Sequence, residues 1–201
     1  MSYLGTQPND VKKNTGLYTP SEILQLTKDG SWGGSLELIQ TQTLSSGNSL
    51  QFTAIKENVY DVHFLQATNV ECSSLNTSIS VRLSNDGGTS YEAGTKYELA
   101  LKYLTTGGSF GEVNSTGLGY LEFLSDSQNQ NRGGYMYLYA LGNASKYSFT
   151  TFQSMEETTF TYGNGLYDTA ETMNAIQVLT TNSNNWTGTV SLYGIKQLWV
   201  T

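Results

Sequence analysis

From residue 35 onward, apolar and polar side chains alternate with a period of two. Ile79, Val81 and Leu83 interleave with Ser78, Ser80, Arg82 and Ser84, which gives one dry face and one wet face, as in a half-buried strand. Asn85-Asp86-Gly87-Gly88 follows at once. An Asp-Gly pair supplies the positive φ angles of a tight hairpin, so Tyr91 and residues 97–103 read as the returning strand. Further strands are predicted over 36–40, 49–55, 59–67, 119–123, 134–141, 145–153, 158–162, 175–179 and 187–198. Runs of Gly, Ser, Asn and Thr separate them, notably 105–111, 125–133 and 180–185. About ten short strands divided by turn chemistry predict an antiparallel sandwich or barrel, and not alternating βα units. The stretch Gly134-Tyr135-Met136-Tyr137-Leu138-Tyr139-Ala140 is apolar on both faces. It fits a central strand covered on both sides, or a strand whose outer face meets another subunit.

The first 34 residues have another texture. They hold both prolines, Pro8 and Pro20, and the one segment with a helical pattern. Thr19 suits a helix cap, Pro20 the first helical position and Glu22 the first turn, while Gly30 suits the end. Ile23, Leu24 and Leu26 supply a small apolar face. Roughly two turns of helix flanked by extended chain bury too little apolar area to offset chain entropy. Residues 1–34 are therefore expected to form an arm that packs on the sandwich or on a neighbouring subunit, with residues 35–201 as the β-sandwich domain.

Composition narrows the chemistry. Charged residues make up 13% of the 201-residue chain, against a usual share of about 25%. Aromatics reach 12%, with 14 tyrosines, so amphipathic rings carry much of the apolar surface. The net charge of −7 and the absence of any Lys/Arg cluster argue against direct nucleic-acid binding. Cys72 and His63 are single, which removes most transition-metal sites and Ser–His–Asp or Cys–His arrangements unless a partner chain contributes. His63 shares a strand face with Asp61 and Leu65, opposite Tyr60, Val62 and Phe64, and reads as a structural histidine, exposed or hydrogen-bonded. No stretch approaches the roughly 20 apolar residues of a membrane span, and residues 1–8 lack the basic and apolar regions of a signal peptide. No cofactor, metal site or membrane insertion is expected.

Two kinds of site merit weighing. Glycan cleavage needs two carboxylates roughly 5 to 10 Å apart, and Glu156-Glu157, Asp168/Glu171 and Glu122/Asp126 are the clusters available. Each sits beside a turn, where acids are usually solvated, so no catalytic residue is assigned. Sugar binding needs an aromatic platform beside amide or carboxylate hydrogen bonding. Trp186, following Asn182-Ser183-Asn184-Asn185, is the leading candidate for an exposed ring, with Asn185 beside it; the plain alternative is that Trp186 closes one end of the sandwich. Tyr162, Asn164 and Tyr167 form a second candidate around Gly163 and Gly165. The Asp86 turn lacks the regular oxygen-ligand spacing of a calcium loop and reads as a plain turn.

Three patches carry a family resemblance. Ser2-Tyr3-Leu4-Gly5-Thr6-Gln7-Pro8, with Thr15-Gly16-Leu17-Tyr18-Thr19 and Gly30-Ser31-Trp32, resembles the leader of many phage tail and virion proteins. Tyr60-Asp61-Val62-His63-Phe64, leading to Val81-Arg82-Leu83-Ser84-Asn85-Asp86-Gly87-Gly88-Thr89-Ser90-Tyr91, resembles a β-sandwich module of marine phage structural proteins. Gly188-Thr189-Val190-Ser191-Leu192-Tyr193-Gly194-Ile195-Lys196 resembles their closing strand. The resemblance implies a non-catalytic structural protein of a tailed bacteriophage virion, made in the host cytoplasm, with an all-β, antiparallel, jelly-roll-like sandwich. The N-terminal arm would anchor it through Tyr3, Leu4, Pro8, Leu17, Tyr18, Pro20, Ile23, Leu24, Leu26 and Trp32. Its partners would be copies of itself, a trimer being the simplest, other virion proteins, and a host surface glycan at Tyr162, Asn164, Tyr167, Asn185 and Trp186. A tail appendage or adaptor is the first expectation and a capsid decoration protein the alternative. A carbohydrate-binding module or a glycan-degrading enzyme is the reading from another class.

Overall fold

Residues 19–28, 36–127 and 131–195 are those described by a computed structural model of the chain. They fall in two units, Met1–Gly34 and Ser35–Thr201. In the first, α1 (Pro20–Lys28) begins at a reciprocal cap. Glu22 N–H donates to Thr19 Oγ1 (3.3 Å), while the Glu22 carboxylate accepts from Thr19 N–H and Oγ1–H, both at 2.7 Å. This is the capping box encoded by Thr19-Pro20-Ser21-Glu22. Those same bonds hold the Glu22 carboxyl below its ordinary pKa. Leu24 is exposed. Ile23 and Leu26 belong to α1, with side chains outside the described set. Tyr3, Leu4, Pro8, Leu17, Tyr18, Gly30 and Trp32 also lie outside the described residues.

The second unit contains β1 (Leu36–Gly47), β2 (Ser49–Phe52), β3 (Val62–Cys72), β4 (Thr77–Ser84), β5 (Tyr97–Thr105), β6 (Phe110–Leu118), β7 (Leu121–Ser127), β8 (Arg132–Tyr139), β9 (Ser148–Met155), β10 (Thr159–Tyr167), β11 (Ala175–Thr180) and β12 (Trp186–Ile195). Among the described residues one sheet runs β1-β12-β3-β8-β9-β10-β5-β6 and the other β2-β11-β4-β7, with every pairing antiparallel. Setting aside the hairpins β5–β6 and β9–β10 leaves β1-β12-β3-β8 against β2-β11-β4-β7. With the hairpins set aside, the chain changes sheet at every step from β1 to β4 and again at β7 to β8, β8 to β11 and β11 to β12, staying in one sheet only from β4 to β7. That interleaving is a jelly roll. The two hairpins are insertions that join beyond β8 and double the width of one sheet.

Period-two burial builds the core between the sheets. In β9, Ser148, Thr150, Phe152 and Ser154 point in while Phe149, Thr151, Gln153 and Met155 point out. Leu65, Met136, Leu138, Phe152, Val190 and Leu192 from the wide sheet meet Phe52, Ile79, Val81, Leu83, Phe123, Ile176 and Val178 from the narrow one. Trp186 fills the start of β12, opposite Cys72.

Three predicted features are corrected. The Asp86 segment has its positive φ values at Gly87 and Gly88, yet it is no hairpin. β4 pairs with β11 and β7, while β5 lies in the other sheet, so residues 85–96 cross between sheets. Asp86 knits that crossover, accepting from Ser84 Oγ–H (2.7 Å), Ser90 N–H (2.9 Å) and Ser90 Oγ–H (2.6 Å). Nor is the polar face of β4 wet. Ser80 and Ser84 are buried, and Arg82 Nε donates to Gly119 O at 2.9 Å. Finally, residues 105–111 are not a plain separator but the turn into β6, closed by Thr105 N–H to Ser109 O (2.9 Å) with Gly108 at positive φ.

Candidate functional site

The wide sheet's outer face is organised as straight cross-strand rows. One reads Leu38, Tyr193, Phe64, Tyr137, Thr151, Asn164, Ala100, Asn114, each residue opposite the next on the neighbouring strand. The row beside it reads Thr41, Ser191, Gln66, Tyr135, Gln153, Tyr162, Lys102, Glu112. Bulky apolar rows flank these two over the inserted hairpins: Tyr139, Phe149 and Leu166 on one side, and Met155, Phe160, Leu104 and Phe110 on the other. Small and polar side chains between bulky ones leave a trough of about 630 Å³, floored by Ala100, Thr151 and Asn164 and walled by Tyr135, Tyr137 and Tyr139.

The tyrosines hold one another. Phe64 packs against Tyr137, Tyr135 and Tyr193 at ring-centroid distances of 5.0, 5.7 and 5.9 Å, and Tyr137 stacks on Tyr139 at 6.3 Å. Tyr135 donates its hydroxyl to Gln153 Oε1 at 2.5 Å, and Tyr139 OH lies 3.3 Å from Thr151 Oγ1. Lys102 pairs with Glu112 at 3.5 Å, and its ammonium sits 5.2 Å from the Phe110 ring centroid. Among the described residues, the side chains of Asn114, Asn164, Tyr137 and Tyr162 have no hydrogen bond within the protein. They stand available to a ligand.

Of the residues singled out for sugar contact, the structure brings Tyr162 and Asn164 together on this face. Tyr167, an odd number of residues further along β10, points the other way and is fully buried. Gly163 and Gly165, beyond the strand predicted over 158–162, lie within continuous strand. A side chain at Gly163 would lie 2.6 Å from Ala100 O, and one at Gly165 2.5 Å from Leu121 Cδ2, so both glycines serve close packing on the inner face. Trp186 is buried, not exposed, and closes the end of the sandwich. Asn185 is exposed beside it, with Nδ2 at 3.4 Å from Ser46 Oγ. The tyrosines of β8 carry a signal the sequence does give, an i, i+2, i+4 repeat. Ala100, Lys102, Glu112, Asn114, Thr151 and Gln153 join them only through strand order.

Of the acidic clusters, the one that holds Glu171 is tied into structural bonds. Glu171 accepts from the Tyr167 hydroxyl and from Asn85 Nδ2 (2.6 Å), and lies 3.8 Å from Lys96, which also pairs with Glu92 at 2.9 Å. Burial, and then the bond to Glu171, raise the Tyr167 hydroxyl above its ordinary pKa. Glu156 sits at the β9–β10 turn and Glu122 on β7 opposite Ser80. The Asp126 side chain is outside the described set. His63 is fully buried, with Nε2 2.8 Å from Ile55 O. A carbonyl only accepts, so Nε2 carries the proton, and burial holds the ring below its ordinary pKa. Among the described residues no three His, Cys, Asp or Glu side chains cluster as a metal site, and no helix is long and apolar enough to cross a membrane.

No protein-family model matches the chain, and no curated protein matches it. Among solved structures with distant likeness, a human SPRY domain aligns over 80% of this chain and 99% of its own, at 7% identity and a TM-score of 0.36. The binding domain of botulinum neurotoxin DC, solved in complex with SialylT, aligns over 81% of this chain and 43% of its own, at 8% identity and a TM-score of 0.25.

Proposed function

We propose that the chain is a non-catalytic structural component of a tailed phage virion. It would be a tail-associated appendage or adaptor that assembles as an oligomer, with a trimer the simplest arrangement and residues 1–34 as its anchor. A decoration role on the head is the alternative position. Supporting this reading are the three ordered sequence patches and the jelly roll, an architecture that recurs in viral capsid and lectin domains. Of the acids that a glycan-cleaving enzyme would need, Glu171 takes part instead in structural bonds with Tyr167 and Asn85.

One observation carries the reading. Leu36, Leu38, Leu104, Phe110, Phe149, Met155 and Tyr162 are large, apolar and exposed, and all stand on the outer face of the wide sheet. Exposed apolar surface concentrated on one face marks a contact surface. A protein that works by contact needs such a face and no reactive group.

Particles of the phage that encodes the chain are the material for the test. Gold-labelled antibody raised against the purified protein is expected to decorate the tail. Labelling confined to the head would select the decoration alternative. Absence of the chain from gradient-purified particles, by labelling and by mass spectrometry, would overturn the virion assignment.

A further inference from the structure

We infer that the trough on the outer face is a binding site for a neutral, chain-like polysaccharide. This goes beyond a structural role and would hold for a cellular wall-binding module as well.

Shape comes first. The trough crosses five adjacent strands, from β8 to β6. Four strand spacings of about 4.8 Å make it roughly 19 Å across. A second hollow, lined by Phe149, Leu166 and Thr116, shares Ala100, Asn114 and Asn164 with it and extends it. An extended groove suits a run of sugar rings better than one small molecule.

Charge comes second. Among the described residues, Lys102 and Glu112 are the charged side chains lining the trough, and they pair with each other. The trough therefore carries no net charge, the adjoining hollow adds the Glu98 carboxylate, and the chain as a whole is at −7. Phosphates, sulfates and nucleic acids find no unpaired cation there to neutralise them.

Hydrogen bonding comes third. Asn164, Asn114 and the Tyr162 hydroxyl are unpaired within the protein and face the same groove as a ladder of aromatic rings. Sugars present apolar C–H faces to rings and hydroxyls to amides, and a few convergent polar groups in an aromatic-lined groove suit that chemistry. A second copy of the chain fits less well. A two-fold contact sets the same surface against itself, and two concave troughs would enclose a void.

Affinity electrophoresis tests this. The intact protein is run in native gels cast with laminarin, galactomannan, xylan or dextran, and in one cast with heparin. Retardation by at least one neutral polymer is expected, with none by heparin. Tyr162→Ala and Asn164→Ala should each weaken it about tenfold, the equivalent of about 1.4 kcal/mol, while Tyr147→Ala, an exposed ring away from the trough, leaves it unchanged. Thermal melts of all variants, equal to that of the parent, keep loss of binding separate from loss of fold. Retardation by none of the neutral polymers overturns the inference, as does retardation that survives both trough substitutions. Concentration-dependent self-association abolished by Tyr162→Ala would also overturn it, assigning the face to contact between copies. None of these results bears on whether the chain is found in purified particles.

Discussion

Gly194 lies on β12 between Glu37 of β1 and His63 of β3, with its α-carbon turned toward the Tyr60 ring. A methyl group there would sit 2.5 Å from Tyr60 Cε2 and closer still to Cγ and Cδ2. The ring has little room to yield. Tyr60 is buried, donates its hydroxyl to Glu37 Oε2 at 2.6 Å, and meets the His63 ring edge-on at 6.0 Å. Its backbone N–H is tied to Lys56 O at 3.2 Å. For Gly194→Ala, overpacking costs about 1 to 3 kcal/mol. Displacing the ring also sacrifices a hydrogen bond to a carboxylate, worth about 1.5 to 3 kcal/mol. A loss of about 3 kcal/mol corresponds to a fall in melting temperature of roughly 6 to 12 °C for a domain of this size. Thermal melts and urea titrations followed by far-UV circular dichroism measure it. Gly107→Ala is the control, since its new methyl would meet nothing closer than Thr105 Oγ1 at 3.8 Å, and it should change stability by no more than about 0.5 kcal/mol. In Tyr60→Ala/Gly194→Ala the clash is gone, so the double variant should be less destabilised than the sum of the singles by about 1 to 3 kcal/mol. If Gly194→Ala melts with the parent, or the two substitutions simply add, the packing argument is refuted.

His63 is held neutral by burial, so the unfolded chain takes up a proton before the folded one does. Stability should be fully present above about pH 6.5 and decline below it; urea midpoints measured from pH 8 to pH 5 should show that slope, and His63→Gln should flatten it. Asp86 is held down to about 2 by its bonds to Ser90 and then Ser84, so its contribution is present above its ordinary value near 4 and is lost as pH falls toward 2. Asp86→Asn should lower the melting temperature at pH 7 and reduce that acid-range loss, which melts at pH 7, 4 and 2.5 can read. Trp186→Ala should cost about 3 to 5 kcal/mol because the ring is core; a melting temperature within 2 °C or so of the parent would mean that the ring is not packed as described.

Much of the architecture is legible in the sequence because burial imposes a period. β9 alternates strictly, and β8 shows its tyrosines on one parity and Met136 and Leu138 on the other. The cap of α1 is equally local, written in Thr19 and Glu22. Where burial is one-sided or missing, the signal fades. β6 is an edge strand with no buried residue, so its side chains have no reason to alternate. Its Gly111 reports only that Tyr103 lies opposite, with Cε1 2.7 Å from where a side-chain carbon would begin and the hydroxyl end nearer still. The Asp86 loop misled for another reason. Positive φ at Gly87 and Gly88 fixes a tight turn, but which sheet receives the chain afterwards depends on β10, over sixty residues downstream. The trough was half legible for the same cause. Tyr162 and Asn164 could be placed on one face by parity, whereas Ala100 and Asn114 reach them only because two inserted hairpins join one sheet.

The central claim is that the protein works by surface contact through the outer face of its wide sheet, and not by chemistry at its acids. On the virion role proposed above, host-cell attachment by particles carrying variant chains tests it most directly. Tyr137→Ala/Tyr162→Ala should reduce attachment about tenfold or more, as loss of central aromatic contacts does, while Glu171→Gln and Glu122→Gln leave attachment and host polysaccharide unchanged relative to the parent. Normal attachment by the face variant, or polysaccharide degradation by the parent that either acid substitution abolishes, would contradict the claim.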